Sequence, residues 1–186
     1  VHSATKYIDG QGRALGGAIL GARDFIIDKL QPITRNTGPS LSPFNAWVFV
    51  KGMETLGLRV ERHCANARKV ADALAQNGKI SRVLYPGRPD HPQHNLAASQ
   101  MDGFGGIVSV TVKGGRDAAV RMMERCRLFA LAESLGGVES LIEHRASIEG
   151  PGTPCPPDLL RLSVGMEESG DLYADLDQAL RRAHNS

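Results

Sequence analysis

The chain has 186 residues, of which 41% are hydrophobic and 23% charged, a composition typical of an ordinary globular protein with a substantial core. Its net charge of +2 favours neither nucleic acid nor a membrane surface as a partner. No apolar run approaches the ~20 residues that a membrane span needs. The three cysteines form no CxxC pair, which favours reduced thiols in a cytoplasmic protein.

The first part of the chain predicts a glycine-rich loop, a strand and a short helix. The apolar run from Ala14 to Leu20 follows the loop, and we expect it to form a buried strand of a mostly parallel sheet. Residues 24–31 have helical spacing, and Pro32 with Gly38 is expected to close that segment.

A long helical region follows. Ser42 supplies an N-cap hydroxyl and the next residue is proline, which together predict a helix start. Apolar residues then recur mostly three, four or seven positions apart, up to a helix end expected at Gly78. We expect a bend near Gly52 or Gly57, and we expect Trp47 to lie in the core.

Beyond the long helix, short strands alternate with helices, which is typical of a compact α/β domain. The clearest strand covers residues 107–112, where β-branched residues alternate with others. The other predicted strands cover residues 80–85, 128–132, 140–143 and 160–164, and the predicted helices cover residues 117–126 and 171–183.

The strongest candidate for chemistry is Lys6, which follows the hydroxyl residues Ser3 and Thr5. A lysine amine in apolar surroundings is a nucleophile suited to imine formation with an aldehyde cofactor. Hydroxyls two positions apart on an extended segment can both turn toward one phosphate group. The alternative interpretation is a surface lysine in a loop whose hydroxyls cap the backbone.

Lys6 also stands in the first of a series of motifs that occur in order along nearly the whole chain. They are His2–Tyr7 followed by Gly16-Gly17, Asn36–Gly38, Ser42-Pro43, Lys51–Leu56, Ser134–Ser140 and Arg161–Gly165. Together these motifs resemble the Cys/Met-metabolism family of pyridoxal 5′-phosphate (PLP) enzymes. That family includes cystathionine γ-synthase, cystathionine γ- and β-lyases, methionine γ-lyase and the O-acylhomoserine sulfhydrylases.

The resemblance implies an α/β fold, the C-terminal part of a fold-type I PLP-dependent transferase. Residues 1–62 would be the end of the PLP-binding large domain and the start of the long linking helix, and residues 63–186 the small C-terminal α/β domain. Other cofactor-binding parts of the family precede the lysine. We therefore expect an upstream half of the same enzyme as a partner, without which this chain is inactive. The family also implies a homo-oligomer, a tetramer, that acts on a small amino-acid substrate.

The resemblance also assigns the residues that hold the cofactor. Lys6 would bind PLP covalently and would then act as the base that moves substrate protons. Ser3 and Thr5 would bind the cofactor phosphate.

The resemblance assigns a second set of residues to the substrate. Arg161 would clamp the α-carboxylate, because a guanidinium fork meets a carboxylate bidentately. Ser134 and Leu135 would lie beside the same carboxylate. Without the resemblance, Arg161 would be interpreted as one partner of an ordinary ion pair on a strand. Ser134 and Leu135 would be interpreted as residues where a strand passes into a turn.

Glu133 bears on which reaction the enzyme performs. Family members that handle cystathionine at its γ-carbon tend to carry Glu before Ser-Leu-Gly, where the carboxylate would attract the distal ammonium of cystathionine or of incoming cysteine. The alternative is a solvated acidic residue at the mouth of the site. The stretch from Tyr7 to Arg13 instead resembles the sulfhydrylase branch.

The resemblance therefore implies γ-replacement or γ-elimination on sulfur amino acids or O-acylhomoserine, as in cystathionine γ-synthase and γ-lyase, within transsulfuration and methionine biosynthesis. Alternatives are an O-succinyl- or O-acetylhomoserine sulfhydrylase and a cystathionine β-lyase. In a different class, the chain would be a catalytically silent α/β interaction domain.

Two further segments bear on the site and on metal binding. The segment from Glu143 to Pro157 is shorter and richer in proline than is common in the family, and Arg145 stands at a usual proline position. His91 and His94 lie in a proline-rich loop that we expect to be exposed to solvent, and we expect no metal site there.

Overall fold

The structure is a computed structural model that describes residues 1–184. It divides into two compact units, Val1–Gly57 and the residues from Leu58 onward. The mixed α/β class expected from the sequence is confirmed. The division into residues 1–62 and 63–186, which concerns the domains that the resemblance implies, stays a prediction.

The first unit begins with two short strands, β1 (His2–Ser3) and β2 (Gly17–Ala18), which pair antiparallel. The buried parallel strand predicted over residues 14–20 is wrong, since only two of its residues form a strand and neither is buried. The physical reason lies at Asp9, whose carboxylate accepts hydrogen bonds from the backbone N–H groups of Arg13 and Ala14. Those groups close a turn and do not form a ladder.

Proline and glycine mark the two ends of helix α1 in the first unit. A π-helical turn, Phe25–Leu30, leads into α1 (Gln31–Thr37), which ends at Gly38 with a left-handed φ of 88°. Pro32 does not close the segment, because it lies in the first turn of α1, where a missing N–H is tolerated.

The predicted long helix is divided into α2 (Pro43–Met53) and α3 (Leu56–Ala75), with the break between the two glycines where a bend was expected. The helix start is confirmed, since the Ser42 hydroxyl accepts a hydrogen bond from Asn45 N at 3.1 Å. The core position expected for Trp47 is wrong: the residue is 57% exposed. Its neighbours Val48 and Phe49 are the buried residues, and they pack in a small cluster with two alanines.

The second unit contains a five-stranded sheet in the order β3-β4-β7-β6-β5. Neighbouring strands are antiparallel, except that β5 and β6 are parallel. The strands are β3 (Ile80–Leu84), β4 (Ile107–Val112), β5 (Ala130–Leu131), β6 (Leu141–His144) and β7 (Leu159–Ser163). All five predicted strands are present, although β5 is shorter than expected.

Four helices follow α3 along the chain: α4 (His94–Gln100), α5 (Gly115–Arg125), α6 (Arg145–Glu149) and α7 (Ser169–His184). Apolar residues of α3, α5 and α7 form one core with those of β4, β6 and β7. Apolar spacing predicts α5 and α7 but not α4 and α6, which have at most seven residues and no apolar face long enough to recognise. Among residues 1–184 no helix is long and apolar enough to cross a membrane.

Candidate functional site

The turn that carries Lys6 follows β1 directly. Residues Ala4–Ile8 form a π-helical turn that Lys6 interrupts with non-helical φ and ψ of −89° and −114°. Backbone hydrogen bonds from Asp9 N to Ala4 O, at 2.9 Å, and from Gly10 N to Lys6 O, at 2.8 Å, close the turn. The Lys6 residue is half-buried and is held in a defined backbone conformation.

Asp9 fixes the chain on the far side of this turn. It is 1% exposed, and its carboxylate accepts hydrogen bonds from Arg13 N, Arg13 Nε at 2.8 Å and Ala14 N at 3.1 Å. Burial alone would raise the pKa of Asp9, but the hydrogen bonds from Arg13 and Ala14 outweigh it and hold that pKa below its ordinary value. The carboxylate is therefore ionised at neutral pH and links the residues after Lys6 into a loop.

Ser3 and Thr5 differ in how far their hydroxyls are engaged. The Thr5 hydroxyl accepts a hydrogen bond from Gly16 N at 3.0 Å and donates one to Gly16 O at 3.3 Å, which ties the Lys6 turn to β2. Ser3 is exposed and its side chain does not cap the turn. The expected pair on one extended segment is wrong, because Ser3 is extended whereas Thr5 lies in the helical turn.

Helix α2 packs closely against the same turn through a glycine. A Cβ atom at Gly52 would lie 2.0 Å from Ile8 O and 2.9 Å from Asp9 O, both of which are backbone atoms. Only glycine allows the helix to approach the Lys6 turn this closely.

Gly52→Ala is expected to destabilise the protein by about 1–3 kcal/mol, because the new methyl overlaps backbone that cannot move aside cheaply. The direction of the change in stability is informative, because replacing glycine by alanine in a helix ordinarily stabilises the protein by up to about 1 kcal/mol. Gly57→Ala is the matched control, with no atom within 4 Å of its Cβ position. Urea unfolding of both variants checks the prediction, and equal stability changes would contradict it.

In the second unit, Arg161 on β7 meets the loop that follows β5. Its Nη2 donates to the backbone carbonyls of Glu133 and Ser134, each at 3.0 Å. Two residues after Ser134, the same loop is held by a hydrogen bond that Gly136 N donates to the Ser163 hydroxyl at 3.0 Å. The structure therefore brings Arg161 into contact with the backbone of Glu133 and Ser134, while the substrate roles expected of these residues and of Leu135 stay a prediction.

Glu143, which no sequence motif assigns to the site, faces Arg161 from the neighbouring strand. The two residues are paired in the register of β6 and β7, and Arg161 Nε lies 3.0 Å from Glu143 Oε1. The contact is an ion pair without hydrogen-bond alignment, since Nε makes no hydrogen bond within residues 1–184. Arg145 Nη1 approaches the same oxygen at 3.3 Å, and its Nη2 lies 2.6 Å from Glu149 Oε1.

A cavity of about 460 Å³ lies beside this group. Glu133 and Glu143 line it together with the apolar side chains of Met123, Leu131 and Ile148. Its size and its mixed lining suit a small organic ligand with a charged end.

The predicted site residues thus form two groups, one in each unit. Ser3, Thr5 and Lys6 belong to the first unit, and Glu133, Ser134, half-buried Leu135 and Arg161 to the second. Among residues 1–184 no group of three or more His, Cys, Asp or Glu side chains could hold a metal ion.

Comparison with known proteins identifies the family. Residues 1–181 match the family described as Cys/Met metabolism PLP-dependent enzyme. The chain belongs to this family. PLP is accordingly the cofactor of the enzymes to which it is related.

Individual relatives of this family are similar over almost the whole chain. A cystathionine gamma-synthase of Mycobacterium tuberculosis (strain H37Rv) is 47% identical over 185 residues, covering 97% of this chain and 48% of that protein. An O-succinylhomoserine sulfhydrylase of Pseudomonas aeruginosa is 44% identical over 189 residues, covering 97% of this chain and 46% of that protein. The chain therefore spans about half the length of these relatives.

A solved structure shows the same fold. The cystathionine gamma synthase of Xanthomonas oryzae pv. oryzae, in complex with aminoacrylate and cysteine, has a TM-score of 0.94 and 38% identity. The match covers 99% of this chain and 50% of that one. At this identity the likeness supports the family as well as the fold.

The residues of the first unit fit part of a PLP site. Lys6 carries an amine on a turn whose backbone is held by hydrogen bonds, and exposed Ser3 carries a hydroxyl that suits a phosphate oxygen. Thr5 fits only after its hydroxyl turns away from Gly16 O, a bond that is long at 3.3 Å.

Proposed function

We propose that this chain is part of a PLP-dependent enzyme that performs γ-replacement or γ-elimination on sulfur amino acids or O-acylhomoserine, in the manner of cystathionine γ-synthase or γ-lyase. The observation that carries the proposal is a lysine on a tight, braced turn in a chain whose residues 1–181 match a PLP-dependent family. The enzyme belongs to transsulfuration and methionine biosynthesis in this proposal.

In the first unit, the proposed roles follow from the groups that each residue offers. When bound, PLP supplies an electron sink for charge that develops on the substrate carbon atoms. Lys6 would hold the cofactor and, once released, its Nζ would take the proton from the α-carbon and give it up again, so that the neutral amine could then take the proton from the β-carbon. Ser3 donates a hydrogen bond to the phosphate, and Thr5 joins it after reorientation.

In the second unit, Arg161 is proposed to bind the α-carboxylate of the substrate. Two of its nitrogens face protein groups, because Nη2 donates to two carbonyls and Nε faces Glu143. Within residues 1–184 Nη1 donates no hydrogen bond, so its two N–H groups are the donors proposed for the carboxylate. Ser134 and Leu135 are proposed to lie beside the same carboxylate.

The proposal also extends to the assembly. We expect a homotetramer in the cytoplasm, and we expect an upstream half of the enzyme to complete the cofactor site. The free cysteines Cys64, Cys126 and Cys155 are consistent with a reducing compartment. Light scattering on the protein expressed from its full coding sequence measures the oligomer.

Activity assays on that same protein test the proposal. O-Succinylhomoserine and O-acetylhomoserine are offered with cysteine or with hydrogen sulfide, and the products are followed by mass spectrometry. We expect bound PLP and γ-replacement with cysteine. A protein that binds no PLP and turns over neither donor would be the catalytically silent interaction domain instead.

A second candidate is an O-acylhomoserine sulfhydrylase. It is favoured by the 44% identity to such an enzyme and by the resemblance of Tyr7–Arg13 to that branch. The side chain of Glu133 distinguishes the two, because it is exposed on the rim of the cavity and only cysteine or cystathionine carries an ammonium for it to attract.

Glu133→Gln is expected to lower kcat/KM with cysteine by about ten- to a hundredfold, the value of a charge-assisted contact. Activity with hydrogen sulfide should stay nearly intact, since sulfide has no ammonium. Glu124→Gln, an exposed glutamate of α5, is the control. Equal loss with both thiols would assign Glu133 to the fold or the cofactor, and no loss with either would favour the sulfhydrylase.

A further inference from the structure

We propose that Glu143 is a positioning residue that holds Arg161 for the substrate carboxylate. The inference rests on the proposed function, since it takes the carboxylate of an amino acid as the ligand of Arg161. It adds a residue to the site that acts on the substrate only through that arginine.

The first support is the geometry of the strand pair. Glu143 and Arg161 lie directly opposite each other on β6 and β7, so their side chains share one face of the sheet at the closest cross-strand distance. The Oε1 atom lies 3.0 Å from Arg161 Nε. The register of the two strands thus sets the position of this carboxylate.

The second support is burial. The Glu143 side chain is 1% exposed and that of Arg161 is 17% exposed, so water screens their interaction little. Glu143 Oε2 is buried without a hydrogen-bond partner within residues 1–184, and its charge is therefore balanced by the guanidinium groups beside Oε1. A buried charge is retained only when it is paired, which ties Glu143 to Arg161 and Arg145.

The third support is that the three guanidinium nitrogens of Arg161 face different groups. Glu143 occupies the Nε side, while the carbonyls of Glu133 and Ser134 hold Nη2. A planar guanidinium that is held at two nitrogens has a fixed orientation for the third. Removing the charge of Glu143 would leave Arg161 attached only to a loop, and Nη1 would no longer be held toward the ligand.

The test uses Glu143→Gln in the full-length PLP-loaded enzyme, with near-equal side-chain volume. We expect KM for the amino-acid substrate to rise by about tenfold, while kcat stays within about threefold and bound PLP is unchanged. The preference of the enzyme for an amino acid over the matching amine without a carboxylate should fall by the same factor, as measured by inhibition constants. A merely structural role would not change that preference.

Glu149→Gln is the matched control, because Glu149 also pairs with a guanidinium but is exposed and does not contact Arg161. It is expected to keep KM within about twofold. If the Gln variant does not fold, Glu143→Asp retains the charge but withdraws it by one methylene, and it is expected to raise KM in the same direction.

A double-mutant cycle separates this inference from the proposed function. In an Arg161→Lys background, Glu143→Gln is expected to change KM by no more than about twofold, because its effect passes through Arg161. Additive effects on KM would overturn the inference, and so would an unchanged KM in the single Glu143 variant when Arg161→Lys raises it. If Arg161→Lys itself leaves KM unchanged, the proposed role of Arg161 fails and the inference fails with it.

Discussion

Lys6→Ala is expected to abolish turnover, with a loss in kcat of at least about a thousandfold. The proposed reaction moves protons at two carbon atoms of the substrate, and the Lys6 amine is the group proposed to move them. The same variant should lose covalent attachment of PLP. The turn itself is held by backbone hydrogen bonds and by the Asp9 carboxylate, so we expect the variant to fold.

Borohydride reduction followed by peptide mapping locates the attached cofactor independently of activity. The wild-type protein should carry the pyridoxyl group on Lys6. Lys29→Ala, which alters an exposed lysine of the same unit, serves as the control and should keep kcat within about twofold. A pyridoxyl group on another lysine, or a Lys6→Ala variant with wild-type kcat, would show that the assignment is wrong.

In the second unit, the spacing of apolar residues was enough to predict those strands and helices whose buried residues recur with the period of the strand or helix. Residues 107–112 alternate, and the structure buries Val108, Val110 and Val112 while the residues between them are partly exposed. The helix predicted over residues 171–183 is found at Ser169–His184, because its apolar stripe is the face that the core covers. In both elements local preference and tertiary packing agree.

The first unit could not be predicted as well, because single side chains decide its backbone. An apolar run such as residues 14–20 favours a strand, yet the N–H group of its first residue, Ala14, and that of the preceding Arg13 donate to the Asp9 carboxylate. Apolar spacing likewise could not tell that Val48 and Phe49, rather than Trp47, face the buried cluster. Such outcomes depend on which side chain reaches which backbone group.

In the candidate site, too, motifs indicate individual residues, whereas the structure shows which of those residues are in contact. The motifs contain Lys6, Arg161 and Ser134, and the structure brings the last two into contact. Glu143 was missed because its relation to Arg161 depends on the register between β6 and β7, which a one-residue shift would abolish. The available signal was one charged residue in each of two apolar strands, with opposite signs.

Arg161→Lys is expected to raise KM for the amino-acid substrate by about ten- to a hundredfold, with bound PLP unchanged. A lysine ammonium has one nitrogen. It cannot at the same time bond the carbonyls of Glu133 and Ser134, face Glu143 and meet a carboxylate. Lysine is the informative substitution because it preserves the positive charge, whereas a neutral residue would leave Glu143 buried beside one guanidinium fewer and would risk unfolding.

Steady-state kinetics and the visible absorbance of bound PLP measure the two quantities on one protein sample. Arg116→Lys, an exposed position on α5, is the control and should keep KM within about twofold. A variant that keeps its KM but loses PLP would show that Arg161 binds the cofactor instead of the substrate. A variant that raises KM equally for an amino acid and for its amine without a carboxylate would show that Arg161 supports the loop of Glu133 and Ser134 without binding the carboxylate. Only a selective loss for the amino acid is expected, because only that ligand presents a carboxylate to Nη1.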